Sequence, residues 1–282
     1  MESIKIFGFA DEADSMIDGQ ISAMLRNGLD GLEIRGVDGV NIADISLRQA
    51  KEVKEKLDKA GLVTWSIGSP IGKIDIDDDF EPHIEKFKHL LEVAEILGAK
   101  NMRIFSFFVP ENCDYEKYRQ KVLDRLSKLC EIAKDYDITL CHENEKGIWG
   151  DSSDRCKDIF DAIPQIKCVF DPANFVQCNE DTLKAWNKLK TYVKYMHIKD
   201  ACDNGDIVPA GDGIGNVEAI TMDYLSGGGT IFTMEPHLME FAGLAGLEKE
   251  GNTSEVGKRI SFKSNQEAFD FACARFKNIL KK

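Results

Sequence analysis

The chain has 282 residues, 43% hydrophobic and 30% charged, which is enough apolar material for a full core under a soluble surface. A formal net charge of −13 repels phosphate backbones and makes nucleic acid a poor expected partner. None of the eight cysteines forms a CxxC pair, the start Met1-Glu2-Ser3-Ile4-Lys5 has no signal-peptide pattern, and no apolar run reaches membrane-spanning length. A zinc ribbon, a redox pair and a membrane partner are thus disfavoured, and reduced thiols in a cytoplasmic protein are expected.

In chain order, short apolar runs alternate with longer stretches of helical period. The first strand is read at Ile4–Phe9 and the second at Gly31–Ile34, where Glu33 and Arg35 flank Ile34 and would pair with each other or contact substrate. Lys51 to Gly61 carries Val53, Leu57 and Ala60 on one face, and the glycine ends the helix. The third strand, Leu62–Ile67, contains Trp65, which core packing would explain. The acidic run Asp75 to Glu81 leads into a helix with Pro82 in its first turn. That helix repeats Ile84, Phe87, Leu90, Leu91, Ala94 and Leu97 at helical spacing and stops at Gly98, with His83 and His89 expected to face solvent.

The fourth strand, Asn101–Phe105, includes an unusual strand charge, Arg103. Tyr118, Val122, Leu126, Leu129 and Ala133 mark the next helix. Strands five to seven follow at Ile138–His142, Cys168–Phe170 and Val193–Ile198, and an eighth at Thr230–Met234. A last helix over Gln266–Leu280 sets Phe269, Ala272, Cys273, Phe276 and Leu280 on one face. Eight βα units in strict alternation predict a single (β/α)8 TIM barrel over residues 1–282, with an open doubly wound sheet as the alternative. Residues 238–265 are the least regular and are read as an extended loop over the active face, ordering when substrate binds.

In a parallel barrel the chemistry gathers at the carboxyl ends of the strands. Four successive strands there end in Glu143, Asp171, His197 and Glu235. Three carboxylates in one ring repel each other unless a cation sits among them. With one imidazole they make a donor set that suits Mn²⁺ or Mg²⁺, and that Zn²⁺ or Co²⁺ also fits. His142 precedes Glu143 and should point outward among the helices. Lys199 lies two residues past His197 and would either bind substrate or pair with Asp200. Arg103 and His237 are further substrate-binding candidates, with an internal salt bridge the equal alternative for Arg103. The Gly211-Asp212-Gly213-Ile214-Gly215 run lacks the P-loop order, but its amides would suit an anion.

Glu143-Asn144, Asp171-Pro172-Ala173-Asn174, His197-Ile198-Lys199-Asp200, Glu235-Pro236-His237 and the Gly211–Gly215 loop together resemble the sugar phosphate isomerase/epimerase superfamily, with its xylose isomerase-like barrel. The resemblance covers essentially the whole chain. It implies one divalent ion held by Glu143, Asp171, His197 and Glu235. It also implies that Glu143 and Glu235 are the proton-transfer pair, as in ketose 3-epimerases, acting through an enediolate on a sugar, sugar phosphate or related polyol ketone. A dehydratase or lyase could use the same scaffold. An apurinic-site endonuclease of this superfamily would need a trinuclear zinc centre rich in histidines. This chain has only five histidines, and Asn174 stands where a histidine ligand is wanted, leaving Asn174 as a substrate-side residue. A non-catalytic sugar-binding barrel is the reading from outside enzymology. Oligomeric state is open, with a homo-oligomer compatible with everything above.

Overall fold

Apolar runs bounded by glycine, proline and acidic residues become strands here because each is covered on both faces, by the barrel interior and by a ring of helices. The computed structural model of the protein describes residues 3–110, 113–242 and 260–282. Eight strands close into a barrel: β1 (Lys5–Gly8), β2 (Gly31–Ile34), β3 (Val63–Gly68), β4 (Asn101–Ile104), β5 (Thr139–Glu143), β6 (Lys167–Phe170), β7 (Val193–Ile198) and β8 (Ile231–Met234). Every neighbouring pair is parallel, and β1 closes the ring on β8 with Lys5 opposite Ile231. The expected strands are met with ends moved by a residue or so, which is the usual uncertainty of strand ends.

Among the described residues nine helices follow: α1 (Ile17–Arg26), α2 (Leu47–Ala60), α3 (Glu81–Leu97), α4 (Tyr115–Ala133), α5 (Ser153–Ala162), α6 (Pro172–Gln177), α7 (Thr182–Leu189), α8 (Val217–Ser226) and α9 (Asn265–Ile279). Their limits have local causes. Ser46 and Gln49 form a reciprocal capping box at the start of α2, and Gly61 ends it in the left-handed conformation. Phe87, Leu90, Leu91, Ala94 and Leu97 of α3 are wholly buried against the sheet. His83 corrects the expectation of a solvent-facing residue: it is buried, and its Nε2 accepts a hydrogen bond from Gly72 N at 2.8 Å. Burial lowers its pKa to about 4 and so keeps it a neutral acceptor. His89 is half-buried. No described helix is long and apolar enough to cross a membrane. All eight cysteines are free.

The two-residue period of a strand stacks the barrel interior in layers. Cys141, Val169 and Tyr195 form an apolar floor, with Trp65 against Tyr195. Two residues further along the same strands come Glu143, Asp171 and His197. The barrel thus changes from apolar to ionic within one step of the pleat. His142 faces outward as expected, bonded to Ser106 Oγ at 2.9 Å and edge-on to Phe160 of α5.

Candidate metal centre

The ligand atoms of Glu143, Asp171, His197 and Glu235 lie within 4.8 Å of one another, and all four residues are buried. His197 Nδ1 is 2.8 Å from Glu143 Oε1 and 3.0 Å from Glu235 Oε2. On the other side of the ring, Nε2 meets Glu33 Oε2 at 3.1 Å. Glu33 is itself fixed by the Tyr195 hydroxyl, which donates to Oε1 at 2.6 Å, and by Ser66 Oγ at 3.2 Å. A carboxylate on Nε2 orients the ring and leaves Nδ1 to face the cluster, as in many histidines that bind metals.

Asp171 and its surroundings are tied across β5 and β6. Asn144 Nδ2 donates to Asp171 O at 3.0 Å, and Asp171 N donates to Asn144 Oδ1 at 3.1 Å. Asn174 donates through Nδ2 to Glu143 Oε1 at 3.3 Å and to Asn144 O at 2.8 Å. Asp171 Oδ1 caps α6 through Asn174 N, so its second oxygen, Oδ2, faces the cluster. Oδ2 is buried without an aligned hydrogen-bond donor, although Lys199 Nζ lies 3.0 Å from it. An oxygen left in that state among other ligands is what a cation would satisfy.

Charge makes the same point. Asp11, Glu12, Glu33, Glu143, Asp171 and Glu235 are all buried around the mouth, against the fixed cations Arg35, Arg103 and Lys199. Protons make up part of the difference. Burial pushes the Asp171 carboxyl up to about 7 despite Lys199, and pushes Glu12 up to about 8 despite Arg35. Burial opposes a charge on His197, but Glu143, Glu33 and Glu235 outweigh it and raise the imidazole well above its ordinary value. A divalent ion would replace these protons with fixed charge, and three carboxylate oxygens with one imidazole nitrogen are a suitable donor set.

The cations at the mouth pair across the barrel. Lys199 turns to Asp171 and, at 3.4 Å, to Glu235, and not to Asp200. Asp200 is instead held by four main-chain amides, those of Ala201, Gly211, Gly213 and Gly215, at 2.9–3.0 Å. The glycine-rich loop does bind an anion through its amides, but the anion is the chain's own carboxylate. A Cβ on Gly213 would stand 2.3 Å from Ala201 O and 2.4 Å from Asp200 Oδ1, so only glycine allows this approach. Glu33 and Arg35 do not pair with each other. Glu33 supports His197, and Arg35 reaches Asp11, Glu12 and Glu235. Arg103 lies 3.2 Å from Glu143 and 3.7 Å from Glu235. His237 Nε2 is 3.3 Å from Glu12 and 3.5 Å from Glu235.

Asp11, Glu12 and Tyr195 were not singled out in the sequence at all. Their only signal was position, just past β1 or one layer below His197. Of the segment read as a loop over the active face, residues 243–259 lie outside the described residues. In the described part, Leu238 is buried and the Phe241 ring lies 4.5 Å from the Arg35 guanidinium.

A closed parallel barrel whose ionic layer sits at the carboxyl ends of its strands defines the class of protein, and comparison with known families agrees. The chain belongs to the xylose isomerase-like TIM barrel family, whose family model matches residues 21–223. Solved structures share the fold across its length. One is the IolI protein with a bound zinc atom, with 16% identity, 99% of this chain and 98% of that one covered, and a TM-score of 0.75. A second is the probable 3-DHS dehydratase AsbF of petrobactin synthesis from Bacillus anthracis, with 16% identity, 99% of each chain covered and a TM-score of 0.73. A third is D-allulose 3-epimerase from Methylomonas sp. in complex with D-allulose, with 16% identity, 100% and 98% covered and a TM-score of 0.71. At such identities the likeness shows the fold alone. No curated protein matches the chain by sequence.

Proposed function

We propose that the protein is a divalent-metal-dependent isomerase or epimerase acting on a sugar, sugar phosphate or related polyol ketone. The observation that carries this reading is the convergence of Glu143, Asp171, His197 and Glu235, one from each of four consecutive strand ends, in a buried layer short of positive charge. Mn²⁺ or Mg²⁺ suits the oxygen-rich donors best, and Zn²⁺ or Co²⁺ also fits. When bound there, the ion neutralises the charge that develops on substrate oxygens as a proton leaves the neighbouring carbon.

The chain's own residues supply the proton traffic. Glu143 and Glu235 approach the cluster from separate strands, and each carries a carboxylate able to take or return a proton at carbon. Asp171 and His197 have the holding role, with Glu33 keeping the His197 ring in place. Arg103 bridges the two glutamates from the side, 3.2 Å from Glu143 and 3.7 Å from Glu235. Lys199, Arg103, Asn174 and His237 border the space a polyol would occupy and offer donors to its hydroxyls.

A dehydratase acting on the same carbon acid is the second reading, favoured by the similar fold of a probable dehydratase. We read the chain as one domain, in the cytoplasm. The test of the function is a screen of ketoses, aldoses, inososes and their phosphates with added Mn²⁺, Mg²⁺ or Co²⁺, run beside a measurement of bound ion. About one ion per chain with ion-dependent turnover supports the proposal. A protein that binds no divalent ion refutes it.

A further inference from the structure

Beside the main cluster lies a second set of ligand atoms. Glu12, Glu235 and His237 bring one donor each within 4.8 Å of one another, all buried. His237 Nε2 is 3.3 Å from Glu12 Oε1 and 3.5 Å from Glu235 Oε1. Donors on one ion at roughly 2.1 Å stand about that far apart. His237 adopts a left-handed backbone, φ 46°, which turns its N–H onto Glu12 Oε2 at 2.7 Å while its ring remains in the cluster.

A cation already occupies this cluster. Arg35 lies two residues beyond Glu33 on the same strand end, so it enters the same mouth. Its Nη1 is 3.1 Å from Glu235 Oε1 and 3.4 Å from His237 Nε2. Nη2 donates to Asp11 Oδ1 at 3.1 Å and Glu12 Oε1 at 3.2 Å, and Nε donates to Asp11 Oδ2 at 2.9 Å. A guanidinium has five N–H bonds, and the acceptors around this one match all of them. Its faces lie against the rings of Phe9, at 4.4 Å, and Phe241, at 4.5 Å. Neither edge nor face remains for a substrate anion.

We propose that the Arg35 guanidinium is a built-in second cation: it fills a pocket of metal ligands next to the main cluster, limits the mouth to one ion and fixes Glu235, the residue shared by both clusters. This goes beyond the proposed function but rests on its premise that the main cluster holds an ion. Arg35 is a positioning residue in this scheme and touches no reacting atom. A lysine keeps one charge in the pocket although it cannot span from Asp11 to Glu235. Alanine leaves Asp11, Glu12 and Glu235 buried without their counter-ion, a state that a divalent ion relieves.

The test compares Mn²⁺ bound by wild type, Arg35→Ala and Arg35→Lys after chelator treatment, using equilibrium dialysis and elemental analysis. Arg35→Ala should bind one ion more than wild type, and Arg35→Lys the same number. Adding Glu12→Gln to Arg35→Ala should remove the extra ion. An Arg35→Ala protein that folds but binds no more Mn²⁺ than wild type overturns the inference. If Arg35→Ala melts early or fails to fold without ion, Mn²⁺ should restore its melting transition, and a variant still unfolded at saturating Mn²⁺ overturns the inference as well. Wild type that binds no ion refutes the function proposed for the main cluster and this inference with it, whereas one ion in wild type and no more in Arg35→Ala overturns this inference alone.

Discussion

Strands β5 to β8 bring Glu143, Asp171, His197 and Glu235 to the barrel mouth, while the β1 to β4 side brings Asp11, Glu12, Glu33, Arg35 and Arg103. The first group offers oxygen and nitrogen to a common point. The second consists of partners for the first: Glu33 on His197, Arg103 on Glu143, and Arg35 on Glu235. On the proposed function, one half of the rim binds and reacts, and the other holds it in register. Low dielectric makes both necessary, since a buried carboxylate without a partner costs several kcal/mol.

The largest expected difference between the halves lies in turnover. Glu143→Gln and Glu235→Gln keep side-chain size and most ligand contacts but remove the base, so turnover should fall about 1,000-fold with substrate binding retained. Steady-state kinetics together with direct binding measurements read this. Near-normal turnover in both variants removes the pair as acid and base.

Glu33→Gln acts from the supporting half. It leaves every ligand in place but weakens the orientation of His197, and should lower ion affinity by about 10- to 100-fold. Titration with Mn²⁺ measures it, and unchanged affinity would separate Glu33 from the site. A smaller effect follows from pH. The Asp171 carboxyl, pushed up to about 7 by burial, carries a proton below that pH in the ion-free protein, and an ion must displace it. The elevated His197 adds to the proton release. Ion affinity should thus fall by at least about tenfold per unit as pH drops below about 7. Dialysis at pH 6 and pH 8 tests the sign, and tighter binding at pH 6 contradicts it. Incision of abasic-site DNA, the activity wanting histidines this rim lacks, should not exceed background in a nicking assay, and efficient metal-dependent cleavage would reverse the ranking of functions.

The two halves also differed in how readily the sequence disclosed them. Glu143, Asp171, His197 and Glu235 each close an apolar run of recognisable strand character, and their common face follows from the βα repeat alone. The barrel itself was legible for the same reason. The supporting half was not, because its bonds cross the barrel: His197 and Glu33 are 164 positions apart, Arg35 and Glu235 200, and His237 and Glu12 225. Proximity in sequence offered a Glu33–Arg35 pair and, as one of two options, Lys199 with Asp200. Neither pair forms, because partners within the mouth are chosen by depth, and depth depends on the stagger of strands far apart in the chain. His83 failed differently: the turn at Gly72 returns over α3 and needs an acceptor there.

The clasp of Asp200 by Gly211, Gly213 and Gly215 separates the length of a loop from the placement of a ligand. Both ends of the excursion after β7 are fastened to one carboxylate three residues beyond His197, so the tip between them, around Asn204 and Gly205, can lengthen or change its composition without dragging on the strand. Gly205 O is itself held by Gln177 Nε2 at 3.1 Å, so that latitude belongs to the exposed residues Asp203 and Asn204. Such freedom ends at the Asp200 carboxylate and at Gly213, where a side chain would meet Ala201 O.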